Sequence, residues 1–433
     1  MKIKTTLTYL LLLFCAITYA QQERGITGDD NWLDYWAEFN PKTVKYGEPN
    51  YILTGSIEEN MTLTKRNVYL LSGNVFVTNN ATLTIEPGTI ILGDVDSKAT
   101  LTITSGSKIM AQGTETDPIV FTSSSSFKKA GDWGGIIVLG NAPTNKLGKG
   151  SAVGYYPSIS GSDYAQTLFG GTDADANSGV FKYVRIEYAG KKTKQAKSSN
   201  ALTLAAVGNK THFENVIVSF SGANAINVVG GSFNMAKIVS YKSKGSDYSF
   251  NTGAQVNISN SLAVRSPYIS GSSVARCINV LSFDKNKEAI LSDVETTVVA
   301  KNMTVLTDTK DLEFDLKSGL IREAIYVGAN TRFKIENSVV SGFSKAAILD
   351  ENIKLNTVNL EKIQFVNSYF NKCIGNIYQG YSENNEDLEN WYGNPIFQNL
   401  YSKGIHSETF IKVDGNKPDY RLRIEKIIAM RKN

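Results

Sequence analysis

Between residues 81 and 139 the chain alternates apolar and hydroxylic positions in short runs. Residues 81–88 read ATLTIEPG and residues 99–106 read ATLTITSG, identical at six of eight positions with an offset of 18 residues. Leu83 and Ile85, then Leu101 and Ile103, alternate with Thr. A period of two marks a strand with one face in and one face out. After each Gly a second apolar run follows, Ile90-Ile91-Leu92 and then Ile109-Met110-Ala111. Further runs lie at Ile119-Val120-Phe121 and Ile136-Ile137-Val138-Leu139. These segments are too short and too closely spaced to be joined by crossover helices. A coil of roughly 18 to 20 residues with about three short strands predicts a parallel β-helix, each coil stacked on the last. Leu83 and Leu101 are then expected one above the other. No coil can bury its apolar face alone, so stability is expected to come from stacking.

Later coils carry asparagine beside short β-branched strands: Asn215 in FENVIVS, Asn260 in ISNSLAV, Asn337 in IENSVVS and Asn367 in FVNSYF. Asparagine tolerates left-handed turn geometry, and its amide can ladder with that of the next coil. These residues are expected to lock corners. The expected fold is all-β, a single-stranded parallel β-helix over residues 51–373, with a cap at each end. Three stretches break the pattern. Residues 21–50, with Trp32 and Trp36, are expected to cap the first coil, because an open end exposes unpaired edges. Residues 141–180, rich in Gly, Ser, Tyr and Asp, are expected to extrude as a long loop. Residues 374–433 are polar and are expected to form a C-terminal cap or appended segment.

Composition narrows the class. With 42% hydrophobic and 20% charged residues in 433, the chain can bury a core. The formal charge is +4, from 45 Lys+Arg against 41 Asp+Glu, and argues against a dedicated nucleic-acid binder, which would normally carry a basic stripe. Two histidines are too few for a His-rich metal site or a His-based triad. Residues 1–20 carry Lys2 and Lys4, an apolar stretch from Leu10 to Ile17, and Ala20 before the expected cut. That is the pattern of a secretory signal peptide. Removing Lys2 and Lys4 with it leaves a charge nearer +2. No later segment has the ~18 uninterrupted apolar residues a membrane helix needs. Cys277 and Cys373 would remain, and core thiols are favoured over a bridge.

The run AGDWGGIIVLGNAP at 130–143, with FGGTDADANSGVFKYVRIEYAG at 169–190, resembles a widespread group of secreted β-helix proteins of Bacteroidota. TLTIEPGTIILG and KIMAQGTETDPIVFTS upstream are similar to the same group. The resemblance covers roughly residues 68–265 and implies a right-handed helix. It also implies export, to the periplasm, the outer membrane or the cell surface. Some members are encoded near TonB-dependent receptors, and most have no known function. Relatives carry acidic runs where this chain reads SGANAINVVGG and GSDYSFNTG, which leaves Asp247. A charge-dependent role at those positions is therefore not expected. The basic stretch from Asp419 to Asn433 also lacks the terminal β-domain of type IX export, which favours the periplasm or the inner face of the outer membrane.

Several clusters could carry chemistry. Asp173, Asp175 and Asn177 place oxygens at alternate positions before Gly179, which could wrap a hard cation such as calcium; the favoured reading is a solvated Asp/Asn turn leading into the strand at Phe181. No other cofactor is expected. Trp133, in GDWGG, offers a flat apolar face for sugar stacking. Because it immediately precedes a buried strand, the favoured reading is that it plugs a coil corner, with Asp132 accepting backbone N–H groups and Gly134-Gly135 allowing close backbone approach. Tyr155, Tyr156, Tyr164 and Phe169 could form an aromatic contact surface on the loop. Arg185 and Glu187 lie two apart and share a strand face. Acids suited to a glycosidase or lyase are largely replaced by Ala, Asn or Ser. The expected function is non-catalytic binding or structural service in the envelope, toward glycan or an outer-membrane protein complex. A polysaccharide lyase or hydrolase is the competing reading. An accessory subunit of a TonB-dependent receptor is the third.

Overall fold

The structure, a computed structural model, describes residues 24–156, 159–191, 199–269, 275–283, 294–382 and 385–423. The expected signal peptide lies outside these residues. The chain winds as a parallel β-helix. A late coil shows the plan: Thr331–Glu336 lies in sheet one, Val339–Ser341 in sheet two and Lys345–Leu349 in sheet three. Each strand pairs in parallel with its counterpart one coil later, for example Phe333 with Ile363, Val340 with Phe370 and Ile348 with Tyr378. One column of sheet two runs Tyr51, Tyr69, Ile91, Phe121, Ile186, Val218, Ser240, Ala263, Val305, Val340 and Phe370. From Ile91 onward, most of these side chains belong to the central apolar core. Inside sheet one, Phe181 stacks on Phe213 at 5.1 Å between ring centroids, and Phe213 meets Phe233 at 5.4 Å. Among the described residues no helix is long and apolar enough to cross a membrane. Cys277 and Cys373 are both free thiols.

The repeat is not the one expected from the 18-residue self-similarity. Leu83 lies in sheet one, between Met61 and Ile109. Leu101 lies in sheet three, between Val75 and Ile136. The two leucines therefore occupy different faces of one coil, and Leu83 sits 22 residues after its true partner Met61. The matching octapeptides share a local solution, not a level: a T-L-T-I strand followed by a turn that needs positive φ at Gly88 (79°) and Gly106 (92°).

The asparagines sit where a corner requires them. Asn215, Asn260, Asn302, Asn337 and Asn367 all have φ between 45° and 53°, at the bend from sheet one to sheet two. Asn367 Nδ2 donates to Asn337 Oδ1 at 2.6 Å. Asn337→Ala puts an unsupported side chain in the left-handed region and removes that bond. We expect it to destabilise the fold by about 2 kcal/mol in denaturant melts. Asn337→Gly, which restores the backbone freedom, should lose roughly half as much. Equal losses in the two variants would refute a conformational role.

The N-terminal segment does not cap the first coil. It lies along the outward face of sheet two, starting at a late coil. Arg24 Nε donates to Asn367 Oδ1 (3.0 Å), Gly25 N to Asn337 O (2.8 Å) and Thr27 N to Asn260 Oδ1 (2.8 Å). Further on, Arg185 hydrogen-bonds the carbonyl of Trp36. The reason is the apolar exterior of this sheet. Ile217, Val239, Leu262, Leu306 and Val339 face outward and are covered by Ile26, Leu33, Trp36 and Phe39 from the strap. Burying each such side chain is worth about 1.5–3 kcal/mol. The antiparallel pair Phe410–Lys412 and Asp419–Leu422 adds Phe410, Tyr420 and Leu422 to the same cover. The solenoid also runs past residue 373. Gly375–Gln379 is a regular sheet-three strand, and Leu400–Ser402 pairs with Tyr369–Asn371. The late end is closed by the helix Glu386–Tyr392, which places Leu388 and Tyr392 in the core.

The 141–180 insertion does not extrude either. Ala152, Tyr156 and Phe169 fold back onto Phe76, Ile137, Leu139 and Ala205, covering the outward face of sheet three over the early coils.

Candidate functional site

Sheet three is covered early and open late. Its outward column passes from Asn279 to Tyr326 to Ile348 to Tyr378 on successive rungs. The insertion reaches the start of this stretch, where Asn145 Nδ2 donates to Ser282 O at 2.8 Å. Beyond it lies a groove of about 690 Å³, floored by Asn279, Tyr326 and Ile348. One wall comes from the turns that lead into sheet three. There the Arg276 guanidinium pairs with the Glu323 carboxylate, both nearly fully buried. Tyr381 Oη donates to Glu323 Oε1 at 3.2 Å and accepts from Arg276 Nη2 at 3.3 Å. The opposite wall comes from the turns that leave the sheet. Tyr326 Oη donates to Asp350 Oδ2 at 2.5 Å, and Asn352 donates to Asp350 Oδ1 from N (2.9 Å) and Nδ2 (2.8 Å). Burial, reinforced by Asp350, holds the Tyr326 phenol above its ordinary range. At the far end the Lys345 ammonium lies 4.5 Å from the Tyr378 ring centroid and 5.6 Å from that of Tyr381.

The chemistry on offer is that of a polar cleft with aromatic edges. Amide, phenol and carboxylate groups can exchange hydrogen bonds with hydroxyls, and Tyr381, 64% exposed, presents a ring to the solvent. Both wall carboxylates are already committed, Glu323 to Arg276 and Tyr381, Asp350 to Tyr326 and Asn352.

The residues expected to form a site lie elsewhere, and they are not gathered. Trp133 is fully buried, its Nε1 donating to Glu187 O at 2.9 Å, so it has no face for a ligand. Asp132 accepts from Lys129 N (2.9 Å) and Ser123 Oγ (2.6 Å), as a corner residue does. Tyr156 is buried against Phe76, with its hydroxyl 2.7 Å from Thr102 Oγ1. Phe169 is buried in the same cluster, and half-buried Tyr155 accepts from Asn227 Nδ2 at 3.4 Å. Of the five aromatics, Tyr164 alone stays largely exposed, at 48%. Tyr155, Tyr156 and Phe169 hold the insertion down rather than present it.

At the calcium candidate, Asp173 Oδ1 accepts from Asp175 N (3.0 Å) and Asn177 Oδ1 from Gly179 N (2.8 Å). Asp175 lies 4.0 Å from Lys210 Nζ. The loop thus spends its oxygens on its own turn. Among the described residues no group of three or more His, Cys, Asp or Glu is placed to hold a metal ion.

Arg185 and Glu187 do share the outward face of sheet two, but beneath the strap. Glu187 is 1% exposed, and neither carboxylate oxygen has a hydrogen-bond partner among the described residues. Burial raises its carboxyl from 4.5 to about 7. Asp247 is buried as well, 3.0 Å from Arg265 Nη1 and accepting from Ser240 Oγ at 2.5 Å. Neither acid reaches the groove.

The groove residues left one faint trace in the sequence. Ile278-Asn279-Val280 and Ile325-Tyr326-Val327 share a strand pattern whose middle residue points outward. Their separation is irregular, so no fixed period connects them.

The family model described as a pectate-lyase like beta helix domain matches residues 55–402. Among solved structures, the crystal structure of pectate lyase Pel9A is similar at 11% identity and a TM-score of 0.36, covering 90% of this chain and 92% of that one. The Dettilon tailspike protein is similar at 11% identity and a TM-score of 0.29, covering 74% of this chain and 62% of that one. No curated protein matches.

Proposed function

From a chain that belongs to the family of pectate-lyase-like β-helix domains, matched over residues 55–402, we propose an exported glycan-binding protein that holds a saccharide chain along the open half of sheet three without cleaving it. The observation that carries this reading is the groove over late sheet three, with Asn279 and Tyr326 on its floor and Tyr381 and Asp350 at its edges. Successive rungs lie about 4.8 Å apart, close to the length of one sugar ring, so a chain laid along the axis advances about one rung per unit. The committed state of Glu323 and Asp350 favours binding over catalysis. Neither is a free partner for the acid–base pair that glycoside hydrolysis requires.

Titration calorimetry with neutral and acidic oligosaccharides tests this. Tyr326→Ala and Tyr381→Ala are each expected to weaken binding about tenfold, close to 1.4 kcal/mol. Tyr164→Ala is expected to change nothing. Binding that survives both groove variants would move the site elsewhere. Release of shortened or unsaturated products from the same oligosaccharides would replace the binding reading with an enzymatic one.

A further inference from the structure

The column has two ends, and they are finished differently. The late end is closed by the helix Glu386–Tyr392. At the early end, Tyr51–Ile57 pairs with Val68–Val77 and Met61–Leu63 pairs with Thr82–Ile85. Among the described residues nothing pairs with the other edge of either strand. Such an edge presents backbone donors and acceptors ready for a further strand. Tyr51 is 46% exposed and Ile52 62%, so apolar surface accompanies the open backbone. The strap does not close this end, because Arg24 is held at Asn367. Ten steps along the sheet-two column separate those levels, roughly 48 Å.

The two corners of the first coil carry opposite charge. Glu58 and Glu59 follow Tyr51–Ile57, and Lys65 and Arg66 follow Met61–Leu63. All four are exposed, and none makes an ion pair among the described residues. A patch with paired but unsatisfied corners of opposite sign is complementary to itself.

We infer that two copies of this chain dimerise head to head through their first coils. A two-fold axis through the middle of Met61–Leu63 reverses that strand onto its counterpart. It lays residues 51–54 of one copy against 55–57 of the other and exchanges the corners. Glu58 and Glu59 then face Lys65 and Arg66 of the second copy, and the reverse. The interface is isologous and closes at two. Antiparallel pairing satisfies both open edges and converts two solenoids into one continuous column. An extended strand from an unrelated protein could use the edge but has no need of the charge exchange.

Sedimentation of the full exported chain tests the inference through two double variants, Glu58→Lys with Glu59→Lys, and Lys65→Glu with Arg66→Glu. The wild type is expected to sediment at twice the monomer mass at micromolar concentration and to dissociate as salt rises. Each variant alone carries like charge at both corners and is expected to be monomeric. Their equimolar mixture should restore the doubled mass. A separate variant, Thr62→Cys, places a thiol at the axis and should cross-link into a covalent dimer under added oxidant, without altering any charge. A monomeric wild type, or a dimer that persists in both double variants, overturns the inference. So does a mixture that fails to associate, or a Thr62→Cys chain that does not cross-link.

Discussion

Trp133→Ala is expected to be among the most damaging single substitutions in the solenoid, costing about 3–5 kcal/mol. The indole is fully buried, and its Nε1 satisfies the carbonyl of Glu187 at 2.9 Å. It also lies so close to the backbone of sheet two that a Cβ built on Gly93 would meet the ring at 2.5 Å. Truncation therefore leaves a large cavity between two coils and an orphaned acceptor beside it. Trp133→Phe keeps most of the volume and loses the hydrogen bond, so it should cost about half as much. Because each coil depends on its neighbours, the loss should appear first in hydrogen exchange of the strands Ile90–Gly93 and Gly135–Leu139, and then in the melting temperature. A loss below ~1 kcal/mol for the alanine variant would mean that the corner repacks and that Trp133 is not the plug described above.

Glu187→Gln is expected to stabilise the protein, and only toward neutral and alkaline pH. The carboxyl titrates near 4.5 when unfolded and is raised to about 7 in the fold, chiefly by burial. The sign follows from the protons bound. Between those values the folded state keeps a proton that the unfolded state has released, so stability falls as pH rises. The benefit of the neutral acid is whole below about pH 4.5 and is gone once the pH passes about 7. The shift corresponds to about 3 kcal/mol. Tyr46, Tyr188, Thr122, Arg185, Glu38 and Lys128 surround the group, and the pull of Thr122, Arg185 and Lys128 toward the charged form is weaker than the cost of burial. Denaturant melts of wild type and variant across this pH range should converge at the acid end and separate by a few kcal/mol at the alkaline end. Parallel curves would show that Glu187 is solvated or paired in solution.

Much of the fold was legible along the chain, because strands announce themselves locally. The alternation in TLTI and the β-branched runs beside asparagine require no knowledge of what lies above or below. The left-handed corners at Asn215, Asn260, Asn337 and Asn367 were legible for the same reason, since φ is decided by one residue and its neighbours. The 18-residue match misled because it too was local: it reported two similar turns on different faces of one coil. The site was far less legible. Tyr156 and Phe169 read as contact residues from their type, and the structure buries both, whereas Trp133 sits as the corner plug its GDWGG setting favoured.

The residues themselves determined that short pleated segments would stack in parallel and which positions would turn. Only the tertiary structure decided which outward face stays open. The strap covers sheet two because that exterior is apolar, the insertion covers early sheet three, and the groove is what remains between the insertion and the closing helix. Coils of unequal length bring Asn279, Tyr326 and Ile348 into one column. That register is set by hydrogen bonds to the preceding coil, and spacing along the chain does not record it.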